Sequence, residues 1–363
     1  MNILHIASIE NDPYSGVPCM VPRMIRAENR LINISFLNIR NVQIDSLKDL
    51  QIEIQWENGC SIKNLPEPFD NPDLVVFHEV YYPGFLPISK ELRERGIPYI
   101  IVPHGCLTSE AQNIKKYKKL PANILLFNRY IYGAVCLRFL SDNEKQNTLN
   151  SFRMSCFSLG TGIKLMNDGK NEFRTRKDIR FSYIGRVDSF IKGLDLLVEA
   201  IRDKADFLGV NGCRFYIYGP DANNSKRALH GMIKELEIEG LVKICSPVSD
   251  ERKKLILKNT DVFVLTSRSE GLPLGVLEAL SYGVPCLVSK GTGLSEQINS
   301  YNAGWGETDE SSIADLLKKA VDEIQKLEEK STNAIRLIKD RFSEEENTKK
   351  LIKIYKKIIN SNR

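Results

Sequence analysis

Two glutamates, two cations and a histidine stand where their side chains could handle a charged, hydroxyl-rich ligand. The densest group is the stretch 267–288, SRSEGLPLGVLEALSYGVPCLV, in which seven residues separate Glu270 from Glu278. Glu278 is the only charge between Leu272 and Val288. A carboxylate on so apolar a segment is costly unless it reaches solvent, a backbone group or a polar ligand. Glu270 alone reads as a first-turn carboxylate favoured by the helix dipole, worth ~0.3–1 kcal/mol. The pair is more specific. On a helix opening near Pro273 and ending near Gly283, Glu278 lies roughly 8 Å along the axis from Glu270, at ~1.5 Å per residue. Free backbone N–H groups of Gly271, Leu272 and their neighbours lie between the two carboxylates. A ligand with hydroxyls at both ends and a diphosphate in the middle fits that spacing, and a nucleotide-sugar is such a ligand.

A second group carries the opposite charge. The run 180–184 reads as a strand and is followed by Gly185-Arg186, then Lys192-Gly193, then a helix over 194–202. Cations beside a helix N-terminus oppose its dipole and make sense with an anion between them. Arg186 can fork onto a phosphate and Lys192 can serve as a point charge. Two solvated loop cations are the plainer reading of these residues alone; the neighbouring glutamate pair favours the anion site. In the first half of the chain, His104 follows the strand-like run 97–102, where an open α/β sheet presents residues to its crevice. By itself it reads as a loop histidine with a backbone hydrogen bond. Gly16, in Ser15-Gly16-Val17 after the run 3–6, would let backbone approach a phosphate or an acceptor. His78 and Glu79 end another run and are candidates for an acceptor pocket.

Strands and helices in alternation must position these groups. Strand-like runs fall at 3–6, 34–38, 74–78, 99–102, 135–140 and 155–159, then at 180–184, 214–218, 242–245, 262–265 and 285–288. Strands apolar on both faces with helical connections predict parallel βαβ units, and two sets in series predict two doubly wound domains. The boundary is expected in 160–173, where Gly160, Gly162, Asn167, Asp168 and Gly169 break both periodicities. The expected domains are 1–165 on the acceptor side and 166–342 on the nucleotide side. A last helix at about 343–363 carries an apolar stripe of Ile352, Ile354, Tyr355, Ile358 and Ile359 and needs a surface; either domain can supply it, the first included.

The bulk properties set limits. A chain of 363 residues is too long for one ordinary core. A net charge of +5 is too mild to make nucleic acid the main partner. The eight cysteines lack a CxxC pair; Cys136, Cys156, Cys213, Cys245 and Cys286 sit in or beside apolar runs, so free thiols in a reducing compartment are expected. No run approaches the ~18 apolar residues needed to span a bilayer. The expected location is cytoplasmic, at most peripheral on the cytoplasmic face of a membrane. The segment 111–141 has no acidic residue and carries Lys115, Lys116, Lys118, Lys119, Arg129 and Arg138 among Tyr117, Phe127, Tyr130 and Tyr132. It fits an anionic inner-leaflet surface and equally a core helix with a solvated basic face. No DxD triplet and no zinc spacing occurs, so no metal or other cofactor is expected.

These residues resemble a known family. EGLPLGVLE is similar to the carboxylate pair of family 4 GT-B glycosyltransferases (glycosyl transferases group 1), and GRVDSFIKGLDLLVEAI looks like their Arg and Lys-Gly donor-phosphate element. YIYGPD resembles their next glycine turn at Gly219, and Ser246-Pro247-Val248 stands where such enzymes meet the nucleobase. The likeness covers 180 to about 297 and is looser in the first half. It implies two Rossmann-like domains facing across a cleft. Glu278 would hold the ribose and Glu270 the donor sugar. Gly271, Leu272 and Pro273 would line the sugar and diphosphate. Arg186 and Lys192 would neutralise the leaving phosphate, and His104 would contact the transferred sugar. One glycine, Gly16, stands where the family often has a pair, and Thr161-Gly162 replaces its usual Asn-Gly. The implied reaction is retaining transfer from a UDP- or GDP-sugar to a hydroxyl of a glycan, such as a lipid-linked intermediate of a bacterial surface polysaccharide. The rivals are a sugar-nucleotide epimerase on the same fold and a non-catalytic sugar-nucleotide-binding protein.

Overall fold

The computed structural model describes residues 1–12, 16–57, 59–114, 116–148, 150–166, 169 and 177–362. The apolar runs form two six-stranded sheets, parallel throughout. The first contains β1 (Asn2–Ala7), β2 (Asn33–Asn38), β3 (Leu74–His78), β4 (Tyr99–Val102), β5 (Cys136–Phe139) and β6 (Cys156–Ser158), in the order β2-β1-β3-β4-β5-β6. The second contains β7 (Ile179–Ile184), β8 (Cys213–Tyr218), β9 (Val242–Cys245), β10 (Val262–Leu265), β11 (Cys286–Val288) and β12 (Gly304–Gly306), in the order β12-β11-β10-β7-β8-β9. Parallel neighbours cannot be joined by tight hairpins, so helical crossovers connect them and cover the sheets. Hence β3 (LVVFH) and β10 (VFVL) are buried at every position. Each fully buried Leu, Ile or Phe on these strands stabilises by about 1.5–3 kcal/mol relative to exposure. The strand β12 is an addition to the expected set. Its sequence GWG has no apolar run, yet Trp305 is buried and Gly304 lies so close to β11 that a Cβ would sit 2.0 Å from the Cys286 carbonyl oxygen.

The chain divides into two units, Met1–Thr161 with Glu344–Arg363, and Gly162–Ser343. Asn167 and Asp168, in the stretch expected to separate domains, lie outside the described residues. The last helix, Glu344–Ser361, buries Leu351, Ile352, Tyr355 and Ile359 within the first unit, beside the helix Gly16–Asn29. All eight cysteines are free thiols.

The basic, aromatic segment divides into the helix Lys116–Ala122, a π-helical turn Asn123–Phe127 and the helix Asn128–Tyr132. Phe127 and Tyr130 belong to the core, whereas Tyr117, Leu120, Ile124, Leu125 and Leu126 face outward. Arg138 does not belong to its basic face. It lies on β5, 1% exposed, paired with Glu28. A guanidinium on a fully buried strand needs such a partner. Lys115 lies outside the described residues.

Candidate functional site

In an open parallel sheet, ligands bind beyond the carboxyl ends of the strands, where the strand order reverses. In the second sheet that point lies between β7 and β10. The loop after β7 carries Arg186 and Lys192; the loop after β10 carries Ser267 to Glu270, followed by the helix Leu274–Ser281. The two loops are stitched together. Arg268 donates to both oxygens of Asp195 (2.8 and 2.9 Å) and stacks over Phe190, and its backbone N–H donates to the Ile191 carbonyl. Thr266 Oγ1 donates to the Gly193 carbonyl at 2.7 Å. Gly193, at φ 60°, lies so near that a Cβ would come within 1.9 Å of the Thr266 carbonyl oxygen. Only glycine fits there.

Across this seam Lys192 Nζ meets Glu270 Oε1 at 2.7 Å, and Ser267 Oγ donates to the same oxygen at 2.6 Å. Glu278, on the next helix, is 13% exposed and pairs with Lys253 Nζ at 3.0 Å. The two carboxylates are therefore each held by an ammonium. Arg186 is exposed, and its guanidinium makes no hydrogen bond or ion pair among the described residues. Pro273 is the N-cap of the Glu278 helix, one position before its first turn, and Gly283 at φ 74° closes it. Gly271 and Leu272 lie half-buried between the glutamates. Gly219 packs onto the end of β7, where a Cβ would lie 1.7 Å from the Gly185 carbonyl oxygen. Val248 precedes the helix Asp250–Lys258 that supplies Lys253.

In the first sheet the order reverses between β1 and β3. His78 ends β3 and is fully buried; Glu79 and His104 follow β3 and β4 with φ of 69° and 52°. Non-glycine residues rarely adopt that conformation, and such strain gathers at functional sites. The His104 turn is clamped by Glu144, whose Oε1 accepts from Gly105 N–H (2.5 Å) and whose Oε2 accepts from Leu140 N–H (2.8 Å). His78 Nδ1 lies 3.0 Å from His104 Nε2, and His78 Nε2 lies 2.9 Å from His5 Nδ1. His5 Nε2 meets Glu28 Oε2 at 3.2 Å, and Arg138 Nη1 meets Glu28 Oε1 at 3.2 Å. Burial, with the nearby charge of Arg138, pushes His104 down to about 3. His78 is held well below the usual imidazole range by burial and then by His5, His104 and Arg138. Burial raises the Glu28 carboxyl, but His5 and Arg138 outweigh it and hold Glu28 below its ordinary value. Gly16 is exposed at the start of its helix, with nothing within 4 Å of a would-be Cβ; Ser15 beside it lies outside the described residues.

Within the second unit the structure brings together Lys192 with Glu270, and Glu278 with the helix after Val248. Within the first it brings together His78 and His104, with Glu79 adjoining. Sequence reasoning missed Lys253, the Arg268–Asp195 fork, and the line His5–Glu28–Arg138. A histidine inside the otherwise apolar run of β1 and a glutamate in the helix after it were the available signals, because a buried polar side chain implies a partner.

Residues 167–341 match the family described as Glycosyl transferases group 1. AmsK of Erwinia amylovora, an amylovoran biosynthesis glycosyltransferase, is 30% identical over 259 residues, 68% of this chain and 60% of its own. WcaL of Escherichia coli K12, whose name places it provisionally among the glycosyltransferases of colanic acid biosynthesis, is 28% identical over 134 residues, 35% of this chain and 32% of its own. The chain spans about a third of the length of the first curated relatives it matches. Among solved structures, Anabaena Alr3699/HepE in complex with UDP superposes with a TM-score of 0.71 at 14% identity, over 98% of this chain and 100% of its own. The likeness identifies the fold as GT-B.

Proposed function

We propose that this chain, a glycosyltransferase by its group 1 domain at residues 167–341, transfers a sugar from a nucleoside diphosphate to a hydroxyl of a glycan in polysaccharide synthesis. The observation that carries this reading is the pair of lysine-held carboxylates at the reversal point of the second sheet, Lys192–Glu270 and Lys253–Glu278. Each ammonium fixes its carboxylate in place as an acceptor for a hydroxyl of the donor. Glu278 receives the ribose and Glu270 the donor sugar. Gly271, Leu272 and Pro273 line the diphosphate, Gly219 closes the floor, and Val248 meets the base. As the glycosidic bond breaks, negative charge builds on the diphosphate, and Arg186 and Lys192 stabilise it where a metal serves in other schemes. Configuration is retained through an oxocarbenium-like transition state, with Glu270 orienting rather than attacking. His104 offers its ring to a sugar hydroxyl; His78, Glu79 and Gly16 border the acceptor side. UDP-bound HepE supports a nucleotide donor, and the names of AmsK and WcaL, which give amylovoran and colanic acid biosynthesis, support a polysaccharide acceptor.

The test is a panel of UDP- and GDP-sugars, read by nucleoside diphosphate release with and without lipid-linked glycan acceptors, in EDTA. Acceptor-dependent release that survives EDTA is expected. Donor isomerised without acceptor would establish the epimerase reading instead, and saturable binding without release would establish a storage protein.

The same reading places the acceptor at a membrane surface. None of the described helices is long and apolar enough to cross a bilayer. Tyr117, 76% exposed between Lys116 and Lys118, and Leu125, 78% exposed on the next turn, support shallow insertion among anionic headgroups. Flotation with anionic vesicles, and none with neutral ones, is the expected result; equal behaviour with both removes the proposal.

A further inference from the structure

The three histidines of the first unit form one line of hydrogen bonds that ends on a carboxylate, and we infer that Glu28 is a positioning residue which dictates, through His5 and His78, which ring nitrogen of His104 carries the proton. The argument needs only donors and acceptors. A carboxylate accepts and a guanidinium donates. Glu28 Oε1 is taken by Arg138 Nη1 at 3.2 Å, so Oε2, 3.2 Å from His5 Nε2, must receive a proton from that nitrogen. Arg138 already balances the Glu28 charge, and all four groups His5, His78, Glu28 and Arg138 are at most 1% exposed. A further proton on any of the rings would leave this buried cluster with an unbalanced charge, which the low dielectric disfavours.

A neutral imidazole has one donor and one acceptor, so each ring passes the constraint on. His5 donates from Nε2 and therefore accepts at Nδ1, from His78 Nε2 at 2.9 Å. His78 then accepts at Nδ1, from His104 Nε2 at 3.0 Å. His104 is left with a bare Nδ1. No hydrogen bond among the described residues uses that nitrogen, and His104 is the one residue of the three that is partly exposed rather than buried. The line therefore presents an acceptor to whatever binds there, such as a ligand hydroxyl. The rings lie edge to edge, with centroids 5.2 Å apart for His5–His78 and 5.3 Å for His78–His104 and planes inclined by 21° and 38°, the spacing that in-line N–H···N contacts give.

Glu28→Gln reverses the line. Arg138 can only donate, so the amide oxygen must face it and the amide NH2 must face His5 Nε2. That nitrogen then has to accept. His5 moves its proton to Nδ1, His78 to Nδ1, and His104 to Nδ1. The chain has four histidines, and His230, exposed on a helix of the other unit, is an internal reference. Long-range proton–nitrogen NMR of the full chain labelled with 15N-histidine reads every tautomer. The expected result is Nε2–H at His5, His78 and His104 in the unmodified protein and Nδ1–H at all three in folded Glu28→Gln. Nδ1–H at His104 in the unmodified protein overturns the inference, whether or not the variant folds. So does an unchanged His104 tautomer in a folded variant. The consequence for sugar transfer rests on the function proposed above and is read separately. Glu28→Gln should lower kcat about tenfold or more with the donor KM nearly constant, because the lost acceptor acts on the bound sugar. A flipped tautomer with unchanged kcat overturns the role of His104 in transfer and leaves the tautomer assignment standing.

Discussion

Lys192 and Arg186 carry the same charge beside the same strand and differ in what they touch. Lys192 Nζ is 2.7 Å from Glu270, in a pair whose side chains are 23% and 10% exposed. Arg186 is exposed and its guanidinium has no partner among the described residues. Removing one member of a largely buried pair leaves the other charge without compensation. Lys192→Ala should therefore lower both turnover and thermal stability, with Ser267 left among the described residues as the side chain that holds Glu270. Arg186→Ala should leave the melting temperature nearly unchanged and cut kcat by roughly 10²-fold, the scale of losing one preorganised charge stabiliser. Paired melting and steady-state measurements check this. Full turnover in Arg186→Ala would remove it from the phosphate site. The arrangement at this scale was partly legible. The residue types and the seven-residue spacing marked Glu270 and Glu278, but neither could reveal its ammonium. Lys253 reaches Glu278 from the helix Asp250–Lys258, which no local pattern connects to the Glu278 helix.

The elements at the reversal point work as a pair of loops locked to each other. Gly193 is the closest approach in that lock. An alanine there would place its Cβ 1.9 Å from the Thr266 carbonyl oxygen at a φ of 60°. The backbone must move, at a cost on the order of 1–3 kcal/mol, and Lys192 moves with it. Gly193→Ala should lower both the melting temperature and donor affinity. Gly209 is the control. It lies on the helix Ala205–Val210 with nothing within 4 Å of a would-be Cβ, so Gly209→Ala should be neutral or stabilising by up to about 1 kcal/mol through helix propensity. Equal melting temperatures for Gly193→Ala and the parent would remove the lock. Strands such as β3 and β10 were readable because burial on both faces makes them uninterrupted apolar runs. β12 was not, because a three-residue strand of Gly304, Trp305 and Gly306 owes its pairing to β11 rather than to its composition.

At the scale of the whole molecule, the first unit is completed by residues from the far end of the chain. Tyr355 OH lies 3.4 Å from Arg138 Nη1, so the last helix closes over the buried Glu28–Arg138 pair. The sequence showed the apolar stripe of that helix but not the network beneath it, because His5, Glu28, His78 and Arg138 meet only through sheet register and crossover packing. Two predictions follow from this closure. The first concerns acid. His78 and His104 are held below the ordinary imidazole value, so the unfolded chain binds more protons than the folded one beneath about pH 6.5. Their contribution is complete above that pH and is lost as the pH falls toward His104's value of about 3, by at most about 1.4 kcal/mol per pH unit for each ring. Glu28, held low, acts in the same direction at lower pH, its contribution disappearing as the pH falls through its depressed value. The melting temperature should fall as the pH drops below about 6.5 toward 5, and less steeply in His104→Gln; parallel profiles would contradict the assignment. The second prediction concerns the helix itself. Deleting Glu344–Arg363 removes Leu351, Ile352, Tyr355 and Ile359, each worth about 1.5–3 kcal/mol of burial, against a typical domain stability of about 5–15 kcal/mol. The first unit should lose its amide protection while β7 to β12 keep theirs, as hydrogen exchange resolved by unit will report. Tyr355→Phe keeps the packing and removes only the hydroxyl, so it should cost about 1 kcal/mol. If the truncated chain protects β1 to β6 as well as the parent does, the last helix is an accessory and the closure argument fails.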